Sequence, residues 1–324
     1  MRNETLKRSI AVICISLFHI IPGIPSYSGT LGENSSQYHR RISITIDDLP
    51  APYDDIQTIC YVRDNLIPKI VNYDIPVVGF VNERKLYVMG EIDERVAVLE
   101  QWYDAGIELG NHTFSHIRID KASVEEYKTD VIRGETVTSW LMGRKRYGLR
   151  YFRHPQLRTG PTPEYKAELD KFLRSRGYTV APITMDNDEY IFGAIYHRAR
   201  QNTDSEMMVR IASEYLVYMT GIIDHFEETS IEFLDRNINH ILLLHANELN
   251  ADYFDDLIGL LTNKGYEFIP LEDALSDPAY SLPESCSDRG ISWLYRWMIA
   301  AGIEPPEQPR PPEAIMELFN TYRR

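Results

Sequence analysis

Short apolar runs alternate along this chain with helix-length amphipathic stretches, and several of the runs end at or just before a charged or imidazole side chain. The first run is Arg41-Ile-Ser-Ile-Thr-Ile-Asp47-Asp48. Its apolar and small polar residues alternate, which predicts a strand, and Pro50 then stops regular structure. Further strand-like runs fall at 76–81, 107–111, 151–153, 179–184, 241–245 and 267–269. Helical spacing of apolar residues predicts helices over 58–72, 94–104, 123–141, 162–176, 205–228 and 253–264. Gly106, Gly177 and Gly265 are placed as stops, and Ser123-Val-Glu-Glu126 has the form of a capping box. Strands alternating with helices predict a parallel α/β sheet. An open doubly wound sheet and a closed β/α barrel both satisfy the pattern.

The polar residues at the strand ends carry the chemical signal. Asp47 and Asp48 follow the first strand and His112 and His116 the third. Arg153 ends the fourth, Asp186 follows the fifth and His245 ends the sixth. In either α/β architecture the C-terminal ends of the strands line one face or crevice, where ligands bind. Adjacent carboxylates repel in a bare core and are tolerated where water or a cation screens them. His112 and His116 stand four apart, so on a helical turn they would share a face. Two imidazoles and one carboxylate make a catalytic zinc set with one position open to water. Neighbouring strand-end residues point different ways, leaving one aspartate free to hold a metal and the other to serve as general base. His245 suits a general acid. Arg153 and Asp186 are expected to pair, with the arginine orienting the base.

The bulk composition narrows the partners. The 324 residues are 44% hydrophobic and 25% charged, as in globular proteins, and the formal net charge of -14 argues against nucleic-acid binding. Residues 1–28 read as a secretory signal. Arg2, Lys7 and Arg8 precede an apolar stretch, 10–21, that is too short to span a bilayer, and Ser26 and Ser28 follow at cleavage-like positions. The expected location is therefore secreted or periplasmic, with no membrane span after cleavage. An uncleaved anchor or a buried helix is the alternative. Cys60 and Cys286 would remain in the processed chain. They could pair, but they are not spaced as a zinc site. The expected layout is a catalytic domain over 29–276 and a proline-rich extension, 277–324, packing back on it. Trp293 and Trp297 are expected to pin a helix of that extension rather than to wall a groove.

Taken together, these residues resemble the motifs of the polysaccharide deacetylases of carbohydrate esterase family 4, the NodB-homology domain, over about residues 40–275. The family's T-F-D-D-G-P appears as Thr45-Ile-Asp47-Asp48-Leu-Pro50, and its H-[ST]-x-x-H stands intact as His112-Thr-Phe-Ser-His116. R-x-P appears as Arg153-His-Pro155, D-x-x-D-W in degenerate form as Asp186-Asn-Asp-Glu-Tyr190, and L-x-L-H as Leu242-Leu-Leu-His245. The resemblance implies a distorted (β/α)7 barrel. It implies Asp48, His112 and His116 as ligands of a divalent metal, zinc foremost, with Co2+, Ni2+ or Mn2+ as alternatives. It implies Asp47 as catalytic base, His245 as acid, Arg153 and Asp186 as their supports, and Pro155, Tyr190 and Leu243 as substrate contacts. Three residues depart from the pattern. Leu49 replaces the glycine of the first motif, Gln156 follows Pro155, and Ala246 stands where aspartate is frequent.

The implied activity is removal of N-acetyl groups from a chitin- or peptidoglycan-type poly- or oligosaccharide, with release of acetate. The alternatives are an O-acetyl esterase on a plant polysaccharide such as xylan, a non-catalytic glycan-binding protein on the same fold, and an amidase for small nitrogenous molecules.

Overall fold

The computed structural model describes residues 39–144 and 148–322. The first strands and helices are β1 (Arg41–Leu49), α1 (Ile56–Asn72), β2 (Val77–Val81), α2 (Ile92–Asp104) and β3 (Glu108–Asn111). Two helices, α3 (Val124–Arg133) and α4 (Thr136–Met142), lead to β4 (Tyr151–Phe152), α5 (Pro163–Ser175) and β5 (Thr179–Val180). After α6 (Glu189–Gln201) and α7 (Ser205–Leu234) come β6 (Asn239–His245), α8 (Glu248–Asn263), β7 (Glu267–Phe268) and α9 (Leu271–Leu275). The chain ends in α10 (Trp293–Ala300) and α11 (Glu313–Tyr322).

All the strand pairings are parallel, in the order β5-β4-β3-β2-β1-β6, with β7 beside the start of β1. Beyond β5 the chain runs on to Met185, which bridges Leu242 of β6 and completes the ring. Strands of two residues at β4, β5 and β7 make this a distorted barrel, as the motif resemblance implies. The alternation along β1 serves two buried layers. Ile42, Ile44 and Ile46 are buried, and Thr45 and Asp47 on the opposite face are also buried and meet the guanidinium of Arg153. Each fully buried aliphatic side chain contributes about 1.5–3 kcal/mol, so the outer layer fixes which face of the strand points inward.

The register assembles the strand ends. Asp47 is the partner of His245 across β1 and β6, and Asn111, just before His112, is the partner of Phe152, just before Arg153.

Several expectations need correction. The helix expected over 123–141 opens with the capping box of Ser123 and Glu126, but it breaks after Arg133. Gly134 sits against the loop that follows β3, where a Cβ would lie 2.6 Å from the Thr113 carbonyl carbon. Two short helices accommodate that approach where one straight helix could not. Helix α6 was not anticipated, because the acidic run before it reads as a loop. The expected strand 179–184 keeps ladder pairing at only two residues, and α8 begins several residues earlier than its apolar spacing suggests. Cys60 and Cys286 are both free thiols. The signal expected over residues 1–28 lies outside the described residues. Among the described residues no helix is long and apolar enough to cross a membrane.

The C-terminal segment lies on the barrel wall. The Trp293 N–H donates to the Ile183 carbonyl at 2.7 Å, and Ser292 Oγ donates to the Thr184 carbonyl at 2.8 Å. Trp293 and Trp297 are both buried and hold α10 against the barrel, and both also line a surface cavity together with Tyr178, Tyr280 and Leu282.

Candidate metal centre and active site

Three side chains converge at the C-terminal ends of β1 and β3. The ligand atoms of Asp48, His112 and His116 lie within 4.8 Å of one another. His112 Nε2 and His116 Nε2 stand 3.8 and 3.7 Å from Asp48 Oδ1. Tetrahedral ligands about 2.0–2.1 Å from a zinc ion would be separated by about 3.4 Å, so these residues fit a small divalent cation with little adjustment. The state of His112 fits as well. Its Nδ1 lies 2.9 Å from the Arg153 carbonyl, which accepts only from an N–H, so Nε2 is left unprotonated with its lone pair toward the cluster. Burial, reinforced by the neighbouring His116, pushes His112 down to about 4 against the pull of Asp47 and Asp48. It is therefore neutral, the form that ligates. Asp48 is held below the usual carboxylate range. Burial alone would raise it, but His116, with smaller contributions from His112, His245 and Lys85, outweighs that.

The two histidines do not share a helical turn. Residues 112–118 are loop, with Thr113 (φ 63°) and His116 (φ 55°) in the left-handed region. The loop is tied down instead. The carboxylate of Asp130 on α3 accepts from the Ser115 N–H at 2.8 Å and from its hydroxyl, and the Asp130 carbonyl accepts from Phe114 N–H. Asn111 Oδ1 accepts from the Thr113 N–H at 2.7 Å. These bonds bend the strand end back, so that two residues four apart meet one carboxylate without a helix. Asp48 is itself left-handed (φ 63°), which turns it away from Asp47.

Asp47 is 3% exposed. Its Oδ2 lies 3.7 Å from His112 Nε2, and its two oxygens lie 3.3 and 3.5 Å from Arg153 Nη1. Arg153 also donates to the Ala181 carbonyl and to Thr45 Oγ1. Its donors are thus spent on the first strand and on the segment after β5. The expected pair with Asp186 does not form: among the described residues no hydrogen bond or ion pair joins the two. Asp186 is half-buried, and burial together with the nearby Asp188 carboxylate lifts it to about 7.

The partner of His245 is Glu189, which the sequence expectations passed over. Glu189 Oε2 accepts from His245 Nδ1 at 2.7 Å, while Oε1 accepts from Asn250 at 2.7 Å and from Asn247. Burial disfavours a charged imidazole, but the hydrogen bond to Glu189, aided by Asp48 and Asp47, raises His245 to about 9. A signal was present in the sequence. Glu189 stands at the second acidic position of the D-x-x-D form, three residues after Asp186.

Of the three expected substrate contacts, Pro155 and Leu243 are buried, whereas Tyr190 is 47% exposed. The Tyr190 ring lies 6.4 Å from His245 and 6.0 Å from Phe319 of α11. Leu49 is fully buried. A Cβ on Gly79 of β2 would lie 2.7 Å from its Cδ2, so the leucine occupies room that the glycine leaves.

Residues 34–181 match the polysaccharide deacetylase family model, which bears out the resemblance drawn from the motifs. No curated protein matches the chain at a significant level. Among solved structures, the chain is similar to the peptidoglycan deacetylase PdaC from Bacillus subtilis, at 18% identity over 73% of this chain and 91% of that one, with a TM-score of 0.44. It is similar to a family 4 carbohydrate esterase from Bacillus anthracis, at 17% identity over 73% and 83% of the two chains, with a TM-score of 0.43. It is also similar to a family 4 pseudoenzyme from Bacillus anthracis, at 13% identity over 74% and 66% of the two chains, with a TM-score of 0.45.

Proposed function

We propose that this chain, similar over residues 34–181 to the polysaccharide deacetylases, is a secreted, metal-dependent carbohydrate deacetylase. Its substrate would be an N-acetylated amino sugar of the chitin or peptidoglycan type. One observation carries the reading: Asp47, Asp48, His112, His116 and His245 meet on one face, and each ionisable group has a partner suited to a separate task.

Asp48, His112 and His116 would hold the cation. When bound, a divalent cation there supplies Lewis-acid polarisation of water and of an acyl carbonyl. Asp47 stands beside His112 and is oriented by Arg153, and it takes the proton of the attacking water. His245 faces Asp47 across β1 and β6. Glu189 fixes its Nδ1 proton, which leaves Nε2 to hold the proton passed to the leaving nitrogen. An amine leaves poorly without that proton. A well-supported acid therefore favours amide over ester substrates. Tyr190, 47% exposed with its ring 6.4 Å from His245, is the aromatic side chain near the acid against which a sugar ring would lie.

The test is acetate release from N-acetylglucosamine oligomers and acetylated xylan, side by side. Each is assayed after chelation, after zinc return, and with Asp47→Asn. Zinc-restored release from the amide substrate, lost in the variant, supports the proposal. Release from xylan alone moves the assignment to an O-acetyl esterase. Absence of both release and bound metal leaves a glycan-binding protein.

A further inference from the structure

The turn that follows Arg153 is strained. Gln156 and Leu157 are consecutive non-glycine residues with φ of 55°, a left-handed pair that persists only when the surroundings impose it. What surrounds it is the C-terminal segment. The N–H groups of Thr159 and Gly160 both donate to the Ser287 carbonyl, and the Ser287 N–H donates back to Thr159 Oγ1. Gly290 packs so tightly that a Cβ there would lie 2.4 Å from the Gln156 carbonyl oxygen.

Arg296 of α10 sits at the centre of this contact and is 0% exposed. Its Nη2 donates to the Leu157 carbonyl at 2.6 Å, and its Nη1 donates to Thr159 Oγ1 at 2.9 Å and to the Ser285 carbonyl at 3.3 Å. The guanidinium also stacks 4.7 Å from the Trp293 ring centroid. Among the described residues no carboxylate comes within ion-pair distance of it. A buried guanidinium held by carbonyls and one hydroxyl is costly for stability alone, since a packed apolar side chain would serve as well. Its fork does what an apolar chain cannot, gripping two points of one turn in fixed geometry.

We propose that Arg296 is a positioning residue for the deacetylase site, locking the turn 155–159 and so setting the rim beside Arg153 that substrate meets. Gln156 is the exposed residue of that turn, and Arg153, two residues before the turn begins, joins Asp47 to His112. The segment 285–296 is then part of the site rather than an appendage. This inference rests on the deacetylase reading for its kinetic arm alone.

The experiment uses the full protein and the variants Arg296→Met, Arg296→Lys and Gly290→Ala. Gly290→Ala pushes on the turn without touching Arg296. Hydrogen exchange is read at the amides of residues 157–160 and of β1, together with zinc affinity, KM and kcat. The expected result for Met and for Gly290→Ala is protection at 157–160 lowered by about tenfold, with β1 unchanged. KM is expected to rise by about 10- to 100-fold, with zinc affinity retained and kcat little altered, and with partial recovery in Arg296→Lys. Unchanged exchange at the turn in both disruptive variants overturns the proposal. So does loss of protection throughout the barrel with zinc affinity and kcat falling together. If the wild type releases no acetate from any substrate while the exchange result holds, the deacetylase reading fails and the locking of the turn stands.

Discussion

Glu189 Oε2 lies 2.7 Å from Nδ1 of His245, and the carboxylate is completely buried. The pair joins the start of α6 to the end of β6, and the two asparagines of the 247–250 turn saturate the other oxygen. His245 is therefore supported from outside the first motifs.

The first prediction concerns pH. His245 is raised to about 9, so its protonated form persists through neutrality and is lost as pH rises through that value. Glu189→Gln removes the charge that stabilises the imidazolium and lowers that pKa. The alkaline limb of kcat/KM should move toward lower pH, with kcat reduced by about 10²–10⁴-fold if proton donation fails. A bound cation shifts the limb in both proteins, so the comparison is variant against wild type at saturating zinc. An unmoved limb assigns the alkaline pKa to another group.

Metal affinity should depend on a residue that touches no metal. Asp130 holds Ser115 between the two histidines, and Asp130→Ala frees that loop. Zinc affinity measured by calorimetry should fall by about 10–100-fold, the usual effect of losing an outer support. His112→Ala, which removes a ligand, should cost more.

Leu49 and Gly79 should behave as a coupled pair. Gly79→Ala places a methyl 2.7 Å from Leu49 Cδ2 and should destabilise by about 1–3 kcal/mol in urea unfolding. Adding Leu49→Ala should recover part of that loss. Strict additivity would show that the contact does not set the packing.

Asp277 anchors the segment after α9. It accepts from Arg236 and from the Asn239 and Ala279 N–H groups, at 3.0 and 2.9 Å for the latter two. Burial alone would raise its pKa, but Arg236 and the two backbone N–H groups outweigh that and hold it below the usual range. A depressed folded pKa means stability that is complete above the unfolded value and lost as pH falls through the folded one. Asp277→Asn should cost about 1–3 kcal/mol at neutral pH. It should also flatten the acid limb of the thermal-unfolding profile.

Much of this could be read from residues alone. The alternation along β1 and the capping box at Ser123 are local patterns, and each predicted its element, while the intact His112-Thr-Phe-Ser-His116 carried the family resemblance. The split of the expected helix at Gly134 was not legible, because its cause is a loop some twenty residues earlier in the chain. Nor was the loop geometry that brings His112 and His116 together, which depends on Asp130.

By itself the sequence determined the strand–helix alternation and the placement of polar residues at strand ends. These follow from periodicity and spacing, which act over a few residues. Tertiary structure alone decided the partners. Arg153 grips Asp47 rather than Asp186, Glu189 rather than Asp186 supports His245, and the turn after Arg153 is held by Arg296. Those choices depend on register across parallel strands and on segments 56 to 139 residues apart folding against one another. Buried polar groups must find partners, but which partner is nearest is settled only when the barrel closes.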